Sequence, residues 1–198
     1  MIKLDKKIFK SYLSELSKQI EKLSISEVGK LADALEIALI NKNQIFLIGN
    51  GGSGGNANHI ANDFIYPISK KIGLGLKVHS LSSNPATISC LANDEGYDEI
   101  FSAQLRVLGE PGDILIALSG SGNSQNIIKC LDAAKQLGIT SFSMLGFDGG
   151  LSYSKSDHVI FFDTFDMQVC EDMQMVVANA ILKELFMRIS GEDITCRG

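Results

Sequence analysis

Ile45-Phe46-Leu47-Ile48-Gly49-Asn50-Gly51-Gly52-Ser53-Gly54-Gly55 is the stretch that decides the fold. Four bulky apolar residues without polar alternation read as a strand covered on both faces, and strands of that kind belong to parallel sheets. The glycine-rich stretch behind them is a tight turn, with a helix expected from about Gly54. Comparable apolar runs recur at 76–81, 114–118, 141–145 and 159–162, each separated from the next by segments of helical spacing. Strands alternating with helices predict an α/β chain: a five-stranded parallel sheet, flavodoxin-like and doubly wound, flanked by helices. In that architecture ligands bind beyond the carboxyl ends of the strands, near the switch in strand order.

Two helices are expected before the first strand. Ile8, Tyr12, Leu16, Ile20 and Leu23 lie on one helical stripe with Lys and Glu opposite. Ser24 and Glu27 have capping-box spacing, and Val28, Leu31, Leu35 and Leu39 continue the period toward Asn41. Residues 1–43 thus form a helical extension that packs on the core or on a neighbouring subunit, within a single domain spanning 1–198. A last helix runs from about Val169 to Ser190 and is apolar on more than one side.

Bulk properties exclude several classes. The formal net charge of −5 provides no basic footprint for direct nucleic-acid binding. Cys90, Cys130, Cys170 and Cys196 are widely spaced, form no C-x-x-C pair and read as reduced thiols. No apolar run approaches the ~20 residues of a membrane span. The opening Met1-Ile2-Lys3-Leu4-Asp5-Lys6-Lys7 leads into no signal-like apolar block, so a cytoplasmic location is expected.

Residues 49–55 sit between a strand and a helix, where backbone N–H groups and the Ser53 hydroxyl can face an anion. The loop lacks the Lys-Ser/Thr ending of a nucleotide P-loop and the dinucleotide glycine spacing, so no nucleotide cofactor is expected. Ser119-Gly120-Ser121-Gly122-Asn123-Ser124 repeats the arrangement after another apolar strand and adds three hydroxyls at a helix N-terminus. Neutral hydroxyls and amides suit a phosphomonoester that must be released after each turnover.

Gly49-Asn50-Gly51-Gly52-Ser53, Ser119 to Ser124 and Ala92-Asn93-Asp94 resemble the signature segments of the phosphoheptose isomerases, which are sugar isomerase (SIS) domains. The resemblance runs from about residue 5 to residue 190. It implies conversion of sedoheptulose 7-phosphate to D-glycero-D-manno-heptose 7-phosphate, for lipopolysaccharide or capsule, by a homotetramer with active sites between subunits. Ser53, Ser119, Ser121 and Ser124 would hold the phosphate, Asn50 and Asp94 would touch the sugar or shape its pocket, and Gly51, Gly52, Gly120 and Glu171 would also bind the substrate. The family's His-x-x-x-Glu pair and its Gln with a following His correspond to His59, Asp63, Glu171 and Asn179, which makes these four the candidate catalytic residues. His59 and Asp63, four apart, share a helix face, and with Glu171 they are the candidate ligands of one divalent ion, zinc by resemblance. Asn179 cannot cycle a proton near neutral pH, so the work of the family's histidine passes to another group. Gln174 stands where the family often has a second His, and Lys70 and Lys71 where it has a basic residue near a neighbour's phosphate.

Plainer uses exist for each: a helix-surface pair for His59 and Asp63, and first-turn acids for Glu171 and Asp172. His79 and His158 read as structural. Two other functions fit the pattern. One is a non-catalytic SIS protein that binds a partner, similar to the bacterial protein that engages the DnaA replication initiator, which resembles the isomerases and also has Asn where their late histidine lies, as Asn179 does here. The other is an isomerase for a different sugar phosphate.

Overall fold

The computed structural model describes residues 5–73 and 75–191, and over 67–72 the backbone only. The side chains of Lys70 and Lys71, and Cys196, lie outside the described residues. Helices α1 (Lys6–Lys22) and α2 (Ile25–Asn41) precede strand β1 (Gln44–Gly49). Then follow α3 (Gly51–Ile72), β2 (Lys77–Ser80), α4 (Pro85–Asp94), a 3₁₀ turn at Tyr97–Glu99 and α5 (Ser102–Leu108). The chain continues through β3 (Ile114–Ser119), α6 (Gln125–Leu137), β4 (Thr140–Leu145), α7 (Gly150–Lys155), β5 (His158–Phe161) and α8 (Met167–Ser190).

The sheet has the order β2-β1-β3-β4-β5 and every pairing is parallel, as the alternation of apolar runs requires. Side chains alternate across it. Ile45, Leu47, Ile116 and Leu118 face α2, α3 and α8, whereas Phe46, Ile48, Leu115 and Ala117 face the layer of α5 and α6. The strand order turns back between β1 and β3, which opens the crevice where their two loops meet.

The N-terminal helices pack inward on this core. Leu31, Leu35 and Ala38 of α2 are buried, and α1 is tied to α8 and its approach by Tyr12 donating to Asp172 at 2.7 Å and Gln19 donating to the Asp163 carbonyl at 2.9 Å. Burial and the Asp172 carboxylate together push the Tyr12 phenol up to about 12. Ser24 caps α2 by accepting from the Glu27 amide, while the Glu27 carboxylate turns away to Lys30. Outward, Ile8, Phe9, Leu13, Ile37 and Ile40 remain exposed. His79 stacks on Phe46 and His158 on Phe142, in keeping with structural roles. Cys130 and Cys170 are buried, but Cys90 is exposed. No helix among the described residues is long and apolar enough to cross a membrane.

Candidate functional site

A single residue, Asn50, turns the chain from β1 into α3. The helix therefore starts three residues earlier than the glycine run suggests, and the supposed loop is its first turn. Only glycine permits so abrupt a junction at position 49, where a Cβ would lie 2.5 Å from the Ser53 carbonyl oxygen. The Gly54 amide closes the first turn on the Asn50 carbonyl at 3.1 Å. This leaves the amides of Gly51, Gly52 and Ser53 without partners inside the helix, at its positive end.

The second loop folds at the end of β3. Ser119 Oγ accepts from the Gly122 amide at 3.1 Å, and Ser121 Oγ accepts from the Asn123 amide at 3.3 Å. Ser124 is the N-cap residue of α6 but its hydroxyl makes no capping bond, so it can turn to a ligand. Asn50 and Asn126 join the loops through reciprocal amide bonds, both 2.9 Å, and the Tyr97 hydroxyl donates to Asn50 Oδ1 at 3.1 Å. Asn50 is thereby committed to shaping the pocket: its oxygen already accepts two bonds.

Both loops line one cavity of about 240 Å³, with Glu171 and Met167 from the start of α8 as the other wall. Ser53 Oγ lies 3.5 Å from Glu171 Oε1, and a Cβ on Gly52 would meet the Glu171 carboxylate at 2.3 to 2.6 Å. Met167 covers Gly120, where a Cβ would stand 2.3 Å from its sulfur. The site thus combines amide and hydroxyl donors for an anion with a single half-buried carboxylate, which is suited to moving a proton on the bound molecule.

This arrangement has known counterparts. The SIS domain family matches residues 8–146. The phosphoheptose isomerase of Helicobacter pylori strain Shi470 is 35% identical over 145 residues, which is 72% of this chain and 74% of that protein. The chain belongs to the phosphoheptose isomerase family. The Shewanella halifaxensis phosphoheptose isomerase is 46% identical over 114 residues, 57% of this chain and 56% of that protein. The structure of phosphoheptose isomerase GmhA from Neisseria gonorrhoeae superposes with a TM-score of 0.82 at 26% identity, covering 89% of this chain and 94% of that one.

Other residues singled out from the phosphoheptose isomerase pattern do not line the cavity. His59 Nε2 stands 3.2 Å from Asp63 Oδ2 on α3, with the imidazole exposed and the carboxylate half-buried. The pair falls on the same helical stripe as Gly52, but about 10 Å further along the axis at 1.5 Å per residue. Asn179 is exposed on α8, about 12 Å beyond Glu171 by the same measure. Asp94 is exposed at the end of α4 and takes bonds from Asn93 and Cys90. Among the described residues no three His, Cys, Asp or Glu side chains stand close enough to hold a metal ion. The expected His59, Asp63 and Glu171 set is therefore not assembled by one chain, because Glu171 belongs to the loops' end of the α3–α8 contact.

Several site residues carry no signal in the sequence. Asn56, Asn126, Met167 and the role of Gln174 emerge only once α3, α6 and α8 are placed side by side, and the family match ends before α8 begins. Gly52 provides a direct check. Its Ala substitution places a methyl where the Glu171 carboxylate lies, and that flexible end can swing away. Gly52→Ala should keep the parent's thermal midpoint within a few degrees, yet lower turnover by roughly 10²-fold, as expected when one acid–base group is displaced. Full turnover in the folded variant would remove Glu171 from the working geometry.

Proposed function

We propose that the chain is an aldose–ketose isomerase that converts sedoheptulose 7-phosphate into D-glycero-D-manno-heptose 7-phosphate. The observation that carries this reading is the one cavity lined by two anion-accepting loops and Glu171. The amides of Gly51 to Ser53 and the hydroxyls of Ser53, Ser119, Ser121 and Ser124 hold the phosphate. Glu171 takes a proton from C1 of the ketose and returns one to C2, while the proton of the C1 hydroxyl passes to the C2 oxygen by way of the enediol, leaving the aldehyde at C1. C1 is oxidised and C2 reduced within one molecule, so no external oxidant is needed. A seven-carbon chain held at the loops by its C7 phosphate must curl back over the cavity to bring C1 to Glu171.

The finer parts of the proposal are a homotetramer built on the exposed apolar faces of α1 and α2, a cytoplasmic setting, and supply of heptose for lipopolysaccharide or capsule. A divalent cation such as zinc enters only through His59 and Asp63 with ligands from elsewhere, and no step above is routed through it.

The test is a proton NMR time course of sedoheptulose 7-phosphate in deuterium oxide, with zinc and again with chelator. Heptose 7-phosphate deuterated at C2 is expected. Loss of turnover with chelator supports the metal, and unchanged turnover removes it. If no ketose phosphate reacts, yet phosphate still raises the thermal midpoint, the chain is a binding protein on an isomerase scaffold. The exposed, non-titrating Asn179 favours that second reading.

A further inference from the structure

Beneath the cavity, α3 and α8 meet through a polar chain in an otherwise apolar contact. Gln174 has no solvent exposure, and Ser53 has 4%. Asn56 Nδ2 donates to the Glu171 carbonyl at 2.9 Å and to Gln174 Oε1 at 2.9 Å, and Gln174 Nε2 donates to Ser53 Oγ at 3.3 Å. A buried amide at a helix contact is retained only when its partners are complete.

The direction of this chain is forced. A backbone carbonyl can only accept, so the Glu171 carbonyl requires Asn56 to present its NH₂ group. That same NH₂ meets Gln174, which must therefore present its oxygen there and its own NH₂ to Ser53. Ser53 Oγ must then accept from below, and its single proton is left to point into the cavity. The orientation of both amides follows from one fixed acceptor and needs no choice of rotamer.

We infer that Gln174, held by Asn56, is a positioning residue that makes Ser53 an obligate hydrogen-bond donor toward the phosphate. Without it the Ser53 hydroxyl is free to rotate, and the fixed direction of its proton toward the anion is lost. The inference rests on the phosphosugar reading of the cavity and gives that reading a polarity. The Ser53 proton faces Glu171 Oε1 at 3.5 Å, and an arriving phosphate oxygen would replace that long contact.

The test is a double-mutant cycle on inorganic phosphate affinity, measured calorimetrically on the full chain with Gln174→Met, Ser53→Ala and both together. Methionine keeps the volume and removes both hydrogen-bonding functions. Gln174→Met alone should weaken phosphate binding about tenfold, the scale of one hydrogen bond to a charged group. In the Ser53→Ala background the same change should be nearly silent. Gln174→His, whose imidazole offers one acceptor and one donor, should recover most of the affinity. If Gln174 merely held the helices together, its loss would weaken binding equally in both backgrounds, and that additive result would overturn the assignment while leaving the phosphosugar reading intact. No phosphate binding by the parent chain would overturn both. A coupled cycle with no isomerisation would sustain the assignment and sink only the isomerase reading.

Discussion

Glu171→Gln should lower kcat for sedoheptulose 7-phosphate by roughly 10²–10⁴-fold, the usual worth of a positioned general acid–base group, without loosening the grip on phosphate. The amide has the size of the carboxylate and can still accept from Ser53, so the fold and the cavity wall stay in place. What disappears is the ability to take and return a proton. The charge also disappears, and a carboxylate beside a phosphate dianion repels it. Phosphate affinity should therefore stay level or rise as kcat collapses, a split that simple unfolding of the site would not produce. The pairing with position 179 adds a second arm. The family resemblance sets Gln at 171 beside His at 179, whereas this chain has Glu171 and Asn179. Combining Glu171→Gln with Asn179→His should recover part of the lost rate if the two positions share one duty. A kcat for Glu171→Gln within about threefold of the parent would move the proton transfer to Asp63.

The parts of the molecule that could be read in advance are those set by periodicity. The run at 45–48 is a buried strand because both sheet faces are covered, and Leu31 and Leu35 of α2 reach the core as their spacing requires. Ser24 caps where the capping-box spacing places it. Boundaries built of glycine are not legible for a physical reason: residues 51–55 are glycine and serine, poor helix formers, yet the helix starts at Gly51, directly after the one-residue turn that follows β1. Candidate ligands were legible singly but not jointly. The i, i+4 spacing puts His59 and Asp63 on one helix face, where they do meet, but nothing in it tells how far along α3 the Glu171 carboxylate would settle. Gln174 and Asn56 are the opposite case, polar residues of surface type that only the docking of two helices shows to be buried and directional.

Gly122→Ala is the substitution expected to damage the fold of the site most, by about 3 kcal/mol or more. Gly122 has φ +65°, where a side chain is strained, and its Cβ would lie 2.0 Å from the Gly149 carbonyl oxygen. That neighbour is backbone and cannot step aside. The Ser152 amide donates to the Gly122 carbonyl at 2.9 Å, the Gly146 amide to the Gly120 carbonyl at 3.0 Å, and the Leu151 amide to Asn123 Oδ1 at 3.1 Å. Gly149 and Gly150 themselves sit at positive φ, so the facing segment is fixed by its own turn. Relief requires the two loops to part, which pulls Ser121 and Ser124 off the phosphate. The thermal midpoint should fall by roughly 10 °C for a chain of this size, and phosphate should no longer raise it. Gly55→Ala is the internal contrast. Nothing lies within 4 Å of a Cβ at Gly55, which is inside α3, so alanine there should stabilise by about 0.4–1 kcal/mol through the unfolded chain alone. Opposite signs in one melting experiment would tie the glycines of the second loop to the shape of the phosphate site, whereas a Gly122→Ala midpoint matching the parent would mean the two loops are free to separate and cannot hold the serines rigidly toward an anion.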